Sequence, residues 1–199
     1  MSYTKEKIFN IVLNNLGMTA VVQNTVEVNP INTVLNNFYE MALEQIMKAS
    51  DWNFLKHIQT LTPSVNSSPN PKYRYCYDYP NDCIAARYLI DDFGGNYHKF
   101  EVLTEEKGNK IIVCNIPKAK LQYTRRLSDN LPEAYFTSEF VVALSFYLAY
   151  LSAIPLTNNG QIQQVMFQSY QHYLANAKAM SANESEHKDE DDRDYTDYR

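Results

Sequence analysis

The sequence has few of the residues that build cofactor, metal or nucleotide sites. Its cysteines are odd in number and form no CxxC pair, so neither a disulfide framework nor a zinc site is expected. The four histidines are scattered, without the i, i+4 spacing of a helical metal pair. The five glycines fall at predicted turns and caps and form no phosphate-binding loop. We therefore expect no cofactor and no metal ion.

An excess of basic charge is also missing. The net charge is -5, and residues 184–199 account for it, because they hold eight acidic and three basic side chains. The rest of the chain carries 15 acidic and 15 basic side chains. Proteins that grip nucleic acid need a basic patch for the phosphates. A sequence-reading DNA-binding protein is therefore disfavoured.

No segment is typical of a signal peptide or a membrane span. Asparagine and charged residues interrupt the apolar positions of the first 17 residues. The most apolar run, residues 140–156, contains two serines, two tyrosines and a proline. We expect it to be a buried core helix.

Helical spacing of apolar residues predicts four helices. The first runs from Thr4 to Leu16 and ends at Gly17, and the second begins at Pro30 and ends near Ser50. The third covers residues 134–154, up to a break at Pro155, and the fourth follows the polar LTNNG segment. The predicted inner positions of the second helix are Ile31, Val34, Leu35, Phe38, Met41, Ala42, Gln45 and Ile46, and those of the fourth are Ile162, Val165, Met166, Ser169, Tyr170, Tyr173, Leu174 and Ala177.

The centre of the chain has a different pattern. Four prolines between Pro63 and Pro80 exclude a continuous helix. Four or five short antiparallel strands are expected, within residues 73–79, 84–90, 110–116 and 120–127, with a turn at 93–96. The alternation in the first run places Tyr73, Tyr75, Tyr77 and Tyr79 on one face.

The predicted fold class is therefore α+β. Residues 1–54 and 131–183 form a four-helix bundle, residues 55–130 form an inserted small antiparallel β domain, and residues 184–199 form an extended acidic C-terminal tail.

Candidate catalytic groups are few. Asp82 beside Cys83 could represent an acid next to a thiol nucleophile, but the pair is better explained as a turn aspartate and a small buried cysteine. The acidic pairs at 91–92 and 105–106 are adjacent in turns, where carboxylates point apart and are solvated. We expect no catalysis.

Four stretches in order along residues 5–180 resemble the tail tubular protein A family, the head-to-tail adaptors of short-tailed phages, including distant branches such as ring proteins of crAss-like phages. The second helix ends in a Trp-x-Phe signature, and an aromatic run precedes a Pro-x-Asp-Cys step. A strand then ends in Tyr-Thr-Arg, and an Ala- and Leu-rich helix precedes Leu-Thr-Asn. The basic residue that the family has soon after the cysteine is present here as Arg87. The residues that carry the signature are Trp52, Phe54, Pro80, Asp82, Cys83, Tyr123 and Arg125.

The resemblance implies a structural virion protein and not an enzyme. Its copies, commonly twelve, would form a ring between the portal protein and the tail nozzle (tail tubular protein B-like) in the virion tail. DNA would pass through this channel during ejection without specific binding, and no membrane would be involved. The composition leaves two other classes open: a soluble helical regulator or DNA-packaging accessory protein, marked by a basic helix stripe, and a small hydrolase of envelope polysaccharide, marked by convergent carboxylates.

The acidic tail is expected by composition to be a solvated appendage, or alternatively to dock on the portal or a neighbouring subunit. Tyrosines interrupt its acidic residues and suit binding pockets. The candidate portal-binding residues are Asp194, Tyr195, Asp197 and Tyr198.

Overall fold

The computed structural model describes residues 3–65, 68–91, 97–106, 108–127 and 132–185. Within these ranges the protein combines four α-helices with seven β-strands, so the predicted α+β class is confirmed. The helices are α1 (Lys5–Asn15), α2 (Pro30–Ala49), α3 (Ser138–Thr157) and α4 (Gly160–Ser185). The strands are β1 (Lys56–Thr60), β2 (Tyr75–Asp78), β3 (Cys83–Ile90), β4 (Tyr97–His98), β5 (Phe100–Thr104), β6 (Lys110–Cys114) and β7 (Lys120–Arg125).

Local capping residues set the ends of the first two helices. The Thr4 side chain accepts the backbone N–H of Lys7 at the start of α1. The Asn29 side chain accepts the N–H of Asn32 at 2.8 Å at the start of α2, where Pro30 is the first helical residue. Gly17 has a φ of +73°, which glycine adopts without strain. The predicted bounds of both helices are confirmed to within a residue or two.

The predicted inner face of α2 is wrong in detail. Met41 and Gln45 are exposed, whereas the predicted Leu35 and Ile46 are buried together with Tyr39, which was not predicted. Tyr39 can be buried because its hydroxyl donates a 2.7 Å hydrogen bond to Glu133, a residue distant in sequence. A similar error applies to α4, where Val165 and Tyr173 are exposed.

The third helix starts later and ends later than predicted. Residues Pro132–Tyr135 form a separate 3-10 turn, and α3 begins after Thr137, whose side chain accepts the N–H of Phe140. Pro155 does not break the helix, because in the last turn it removes only one backbone donor. The helix ends at Asn158, which has a φ of +49° and donates its N–H to the carbonyl of Ile154 at 2.9 Å.

The strands form two antiparallel sheets. One sheet has the order β1-β7-β3-β4 and the other has the order β2-β6-β5. The expectation of four or five strands missed β1, the two-residue β4 and β5. The sequence of β1, KHIQT, is mostly polar and is therefore a weak strand signal. The turn predicted at residues 93–96 lies outside the described residues.

Of the alternating tyrosines, Tyr77 and Tyr79 pack in the same cluster, but Tyr73 does not share their face. Tyr73 precedes β2 and packs with Cys76, Ile111 and Val113, whereas Tyr77 packs in a separate cluster with Leu121. Tyr75 is exposed. The alternation prediction fails because β2 begins only at Tyr75, so Tyr73 is not part of the same strand.

The largest core joins the four helices. Helix α3 packs against α1, α2 and α4. Its Phe140, Val141, Leu144 and Leu148 are fully or almost fully buried, which confirms that the most apolar run is a core helix. In the described part of the chain, α3 is also the one helix whose length and apolarity suffice to span a membrane, with half of the tested segment buried in the protein.

The predicted acidic tail overlaps the end of α4. Residues 184 and 185 are helical, and residues 186–199 lie outside the described residues.

Candidate functional site

Four aromatic rings fill the junction between the helices and the sheets. The segment between α2 and β1 carries Trp52 and Phe54, and both rings pack on Phe140 of α3, at centroid distances of 5.2 and 5.1 Å with nearly perpendicular planes. Phe136 lies 4.8 Å from Phe140 and 6.1 Å from Phe54. Edge-to-face rings of this kind add to the free energy of simple apolar burial. The cluster holds the chain at the point where it leaves the helices for the sheets.

Trp52 is bonded as well as buried. Its indole N–H donates a 2.8 Å hydrogen bond to the carbonyl of Ile46, three residues before the end of α2. The last carbonyls of a helix have no partner within the helix. The Trp52 indole therefore supplies a partner for one carbonyl at the end of α2.

The Pro80–Cys83 step forms a turn whose side chains reach β7. The N–H of Cys83 donates to the carbonyl of Pro80 at 3.0 Å. The Asp82 carboxylate accepts the Tyr123 hydroxyl at 2.9 Å and lies 3.2 Å from Nε of Arg125. The structure therefore brings the Pro80–Cys83 turn together with Tyr123 and Arg125, which lie about 40 residues further along the chain.

Tyr123 is the most buried member of this group. Its side chain has no solvent exposure, and its hydroxyl also lies 3.1 Å from Oε1 of Gln59 on β1. Burial raises the pKa of Tyr123 above its ordinary value, and the hydrogen bond to Asp82 raises it further. Tyr123 therefore stays a neutral donor that joins β1, β7 and the Asp82 turn.

Cys83 lacks the environment of a reactive thiol. Burial raises the pKa of Cys83, although a hydrogen bond with Tyr79 acts in the opposite direction. Nucleophilic cysteines have a lowered pKa because a cation or helix N-terminus stabilises the thiolate. The chemistry of Cys83 is that of a half-buried packing residue.

Arg87 joins the sheet to the end of α2. Its Nε donates to the Thr124 hydroxyl at 2.9 Å, and one terminal nitrogen reaches the carbonyls of Lys48 and Ser50 at 3.0 and 2.5 Å. The same nitrogen lies 3.4 Å from the carbonyl of Met47. A cation at the C-terminal end of a helix is also favoured by the helix dipole. In the sequence, Arg87 is only a basic residue that follows the cysteine, and no local pattern predicts this role.

A second polar contact supports the same junction. Asp51 accepts a 2.9 Å hydrogen bond from the Gln122 side-chain amide and lies 3.6 Å from the Lys56 ammonium group. Asp51 directly follows α2, Lys56 begins β1 and Gln122 belongs to β7. Sequence analysis did not single out these residues, because each is an ordinary polar side chain until the fold places them together.

Two open depressions adjoin the junction. A cleft of about 530 Å³ lies beside α1 and α2, between Lys5, Glu40, Arg126 and the buried Tyr39–Glu133 pair. A wider groove next to the Pro80–Cys83 turn is lined by Asp78, Glu105 and Lys110, among other residues.

Metal ligands are not grouped in the described part of the chain, where no three His, Cys, Asp or Glu side chains lie close enough to hold an ion. The acidic pairs considered above are covered only in part, because residue 92 is outside the described ranges. Asp91 lies 3.0 Å from Nε2 of His98. The candidate portal-binding residues Asp194, Tyr195, Asp197 and Tyr198 also fall outside the described residues.

Neither protein-family models nor curated proteins give a match to this chain.

Proposed function

We propose that the protein is a structural virion component, a head-to-tail adaptor whose copies form a ring between the portal protein and the tail nozzle. In this proposal the four helices act as one bundle, and the two sheets act as the inserted β domain. The DNA ejection channel runs through the ring. The protein is not an enzyme, and its function follows from its shape.

The observation that carries the proposal is that the family-like residues form two bonded groups, an aromatic group just after α2 and a polar group around the Asp82 turn. Trp52 and Phe54 pack with Phe140 on the helical side. Asp82 bonds Tyr123 and Arg125 on the sheet side. An adaptor must keep its two parts at a fixed angle so that its upper and lower surfaces meet different rings. Buried rings and side-chain bonds at the junction supply that rigidity.

The charge balance of the chain supports the proposed passage of DNA through the ring. Outside the acidic terminus, the chain carries balanced acidic and basic charge. A basic channel wall would bind phosphates by releasing their counterions, and would retain the DNA. A near-neutral wall lets DNA slide.

The chemistry of the described residues supports a role without catalysis. Burial raises the pKa of Cys83, and Asp82 is bonded to Tyr123 and Arg125. A hydrolase requires a nucleophile, a base and a group that stabilises the developing charge, all meeting at one point.

The test is assembly on the portal. Purified chain is mixed with the portal ring of the same virus, and the complexes are measured by mass photometry and electron microscopy. We expect a stacked ring of about twelve copies, the number that the family resemblance implies. The isolated chain should remain a monomer or loose small oligomer, because the proposed ring forms on the portal template.

A truncated chain ending at Ser185 tests the proposed docking of the acidic terminus. It keeps all of α4, so circular dichroism and melting temperature should match the full chain. If the tail docks on basic partner side chains, the truncated chain binds portal more weakly and with less salt dependence. If the truncated and full chains bind the portal equally at every salt concentration, the tail is only a solvated appendage.

The proposed function is refuted if the full chain never binds portal. Binding to DNA or to the packaging motor in place of portal would support the packaging-accessory alternative. Hydrolysis of polysaccharide that is lost on Asp82→Asn or Cys83→Ala substitution would support the enzyme alternative.

A further inference from the structure

The cleft beside α1 and α2, here called the α2 cleft, has a buried carboxylate in its wall. Glu133 lines this cleft of about 530 Å³ and is only 7% exposed. Its Oε1 accepts the Tyr39 hydroxyl at 2.7 Å. Among the described residues no donor bonds its other oxygen, Oε2, and that atom is open to the cleft. The α2 cleft therefore gives access to one oxygen of a carboxylate that is otherwise removed from water.

The two cationic side chains of the α2 cleft have other contacts. The Lys5 ammonium group lies over the ring of Tyr39, 4.5 Å from the ring centroid. The guanidinium of Arg126 lies 3.4 Å from Glu44, and both of these side chains are about half exposed. In the described part of the chain neither cation forms an ion pair with Glu133. Buried carboxylates are normally paired with an opposite charge, so Glu133 is an acceptor suited to a further cation.

The charge of the α2 cleft as a whole also favours a cation. Its lining carries four carboxylates against two cationic side chains. Burial raises the pKa of the Tyr39 hydroxyl, and the hydrogen bond to Glu133 and the negative charges of Glu133, Glu40 and Glu6 raise it further. Three of the four carboxylates therefore act on the same point of the wall. A concave site of one sign attracts ligands of the opposite sign.

Part of the cleft wall is apolar. Leu43 and Met47 line it from α2, and Leu127 lines it just after the end of β7. A cation on a hydrocarbon stem can lay the stem along such a wall and place its charged head at a carboxylate. A metal ion requires several ligating side chains, and in the described part of the chain no three of them meet. The lining therefore fits an organic cation with an alkyl stem.

We propose that the α2 cleft binds a guanidinium or ammonium group on an alkyl stem, with Glu133 as the acceptor of its hydrogen bonds. Tyr39 holds the carboxylate in place by donating to its other oxygen. A guanidinium is the better ligand of the two, because it is more weakly hydrated and loses less when it leaves water. The same chemistry is offered by a side chain of a partner protein and by a free small molecule. The site does not depend on the proposed adaptor function.

The experiment titrates the isotope-labelled full chain with butylguanidinium at low ionic strength and follows the backbone amide signals by NMR. Butylurea is the ligand control, because it has nearly the same shape and no charge. Butylguanidinium should shift the signals of residues that line the α2 cleft, such as Lys5 and Leu43, and the shifts should saturate. Butylurea should leave these signals unchanged. Added salt should weaken the binding of butylguanidinium, because it screens the attraction between the charges.

Three variants test the role of each charge. Glu133→Gln keeps the size of the side chain and an acceptor for the Tyr39 hydroxyl, and it should weaken binding by about tenfold or more. Arg126→Gln removes a competing cation from an exposed position and should tighten binding by about two- to fivefold at low salt. Glu106→Gln is the control, because it removes the same charge from an exposed position outside the cleft. It should leave binding unchanged.

Two further measurements identify the source of the cation. Self-association of each chain is measured by sedimentation velocity, and portal binding is measured by mass photometry. If Glu133→Gln weakens either of these as well as butylguanidinium binding, the cation is a side chain of that protein. If it weakens butylguanidinium binding alone, the cation is a free small molecule. Circular dichroism establishes that the variants are folded, and Arg126→Gln, which changes an exposed side chain, tests the site even if Glu133→Gln does not fold.

Three results would overturn the proposal. If butylguanidinium leaves the signals of the cleft residues unchanged, the α2 cleft is not a cation site. If butylurea binds equally well, the cleft does not recognise charge. If Glu106→Gln weakens binding as much as Glu133→Gln, the cation responds only to the net charge of the chain. Binding of butylguanidinium in the cleft by a chain that never binds portal would refute the adaptor function and leave this site intact.

Discussion

Replacing Arg87 with methionine should weaken the attachment of the sheet to the end of α2 and so lower the stability of the fold. Methionine keeps the unbranched apolar stem and removes only the guanidinium group. That group donates to the buried Thr124 hydroxyl and to the carbonyls of Lys48 and Ser50.

The expected loss follows from the number and exposure of these bonds. A hydrogen bond from a charged group contributes about 1.5 to 3 kcal/mol when buried, and a neutral bond contributes about 1 kcal/mol. The bond to Lys48 is exposed, so water replaces it at little cost. The bonds to Ser50 and Thr124 are partly buried. We expect Arg87→Met to lower the free energy of unfolding by roughly 2 to 3 kcal/mol, which lowers the melting temperature by about 5 to 10 °C for a chain of this size.

Urea denaturation followed by circular dichroism and by the fluorescence of the single tryptophan, Trp52, measures the loss. The tryptophan lies in the same junction and therefore reports on it directly. Arg74→Met is the matched control, because the Arg74 side chain is exposed, and its effect should stay within about 0.5 kcal/mol. If Arg87→Met has as small an effect as the control, water satisfies the end of α2 and the junction does not depend on Arg87.

Two further predictions concern the sheets. Tyr123→Phe removes the hydroxyl bonded to Asp82 and Gln59, and should lower the free energy of unfolding in urea by about 1 to 2 kcal/mol; no loss would mean that Asp82 needs only Arg125. Burial raises the pKa of Cys76 and Cys114, so less thiolate is present at any given pH, and alkylation at pH 8 should be slow in the folded protein and fast in urea, as counted by mass spectrometry. Equal rates in both states would contradict the buried positions of these thiols.

Several features of the fold were predictable from the sequence because their causes are local. Thr4, Asn29 and Pro30 begin helices since each satisfies or removes backbone donors within the next few residues. The apolar runs of β3, β6 and β7 predicted strands because a half-buried strand needs such residues wherever its partner lies. The apolarity of α3 likewise predicted a central helix.

The junction itself depended on the tertiary structure. Asp82 lies close to Tyr123 and Arg125 only because β3 and β7 pair antiparallel, which brings Cys83 opposite Arg125. The inner face of α2 follows Tyr39 because Glu133, remote in the chain, accepts its hydroxyl. Arg87 reaches the end of α2 only once the sheet has docked there. Apolar periodicity identifies which segments are buried. The partner of a polar side chain is whichever group lies close to it in space, and only the folded structure determines which group that is.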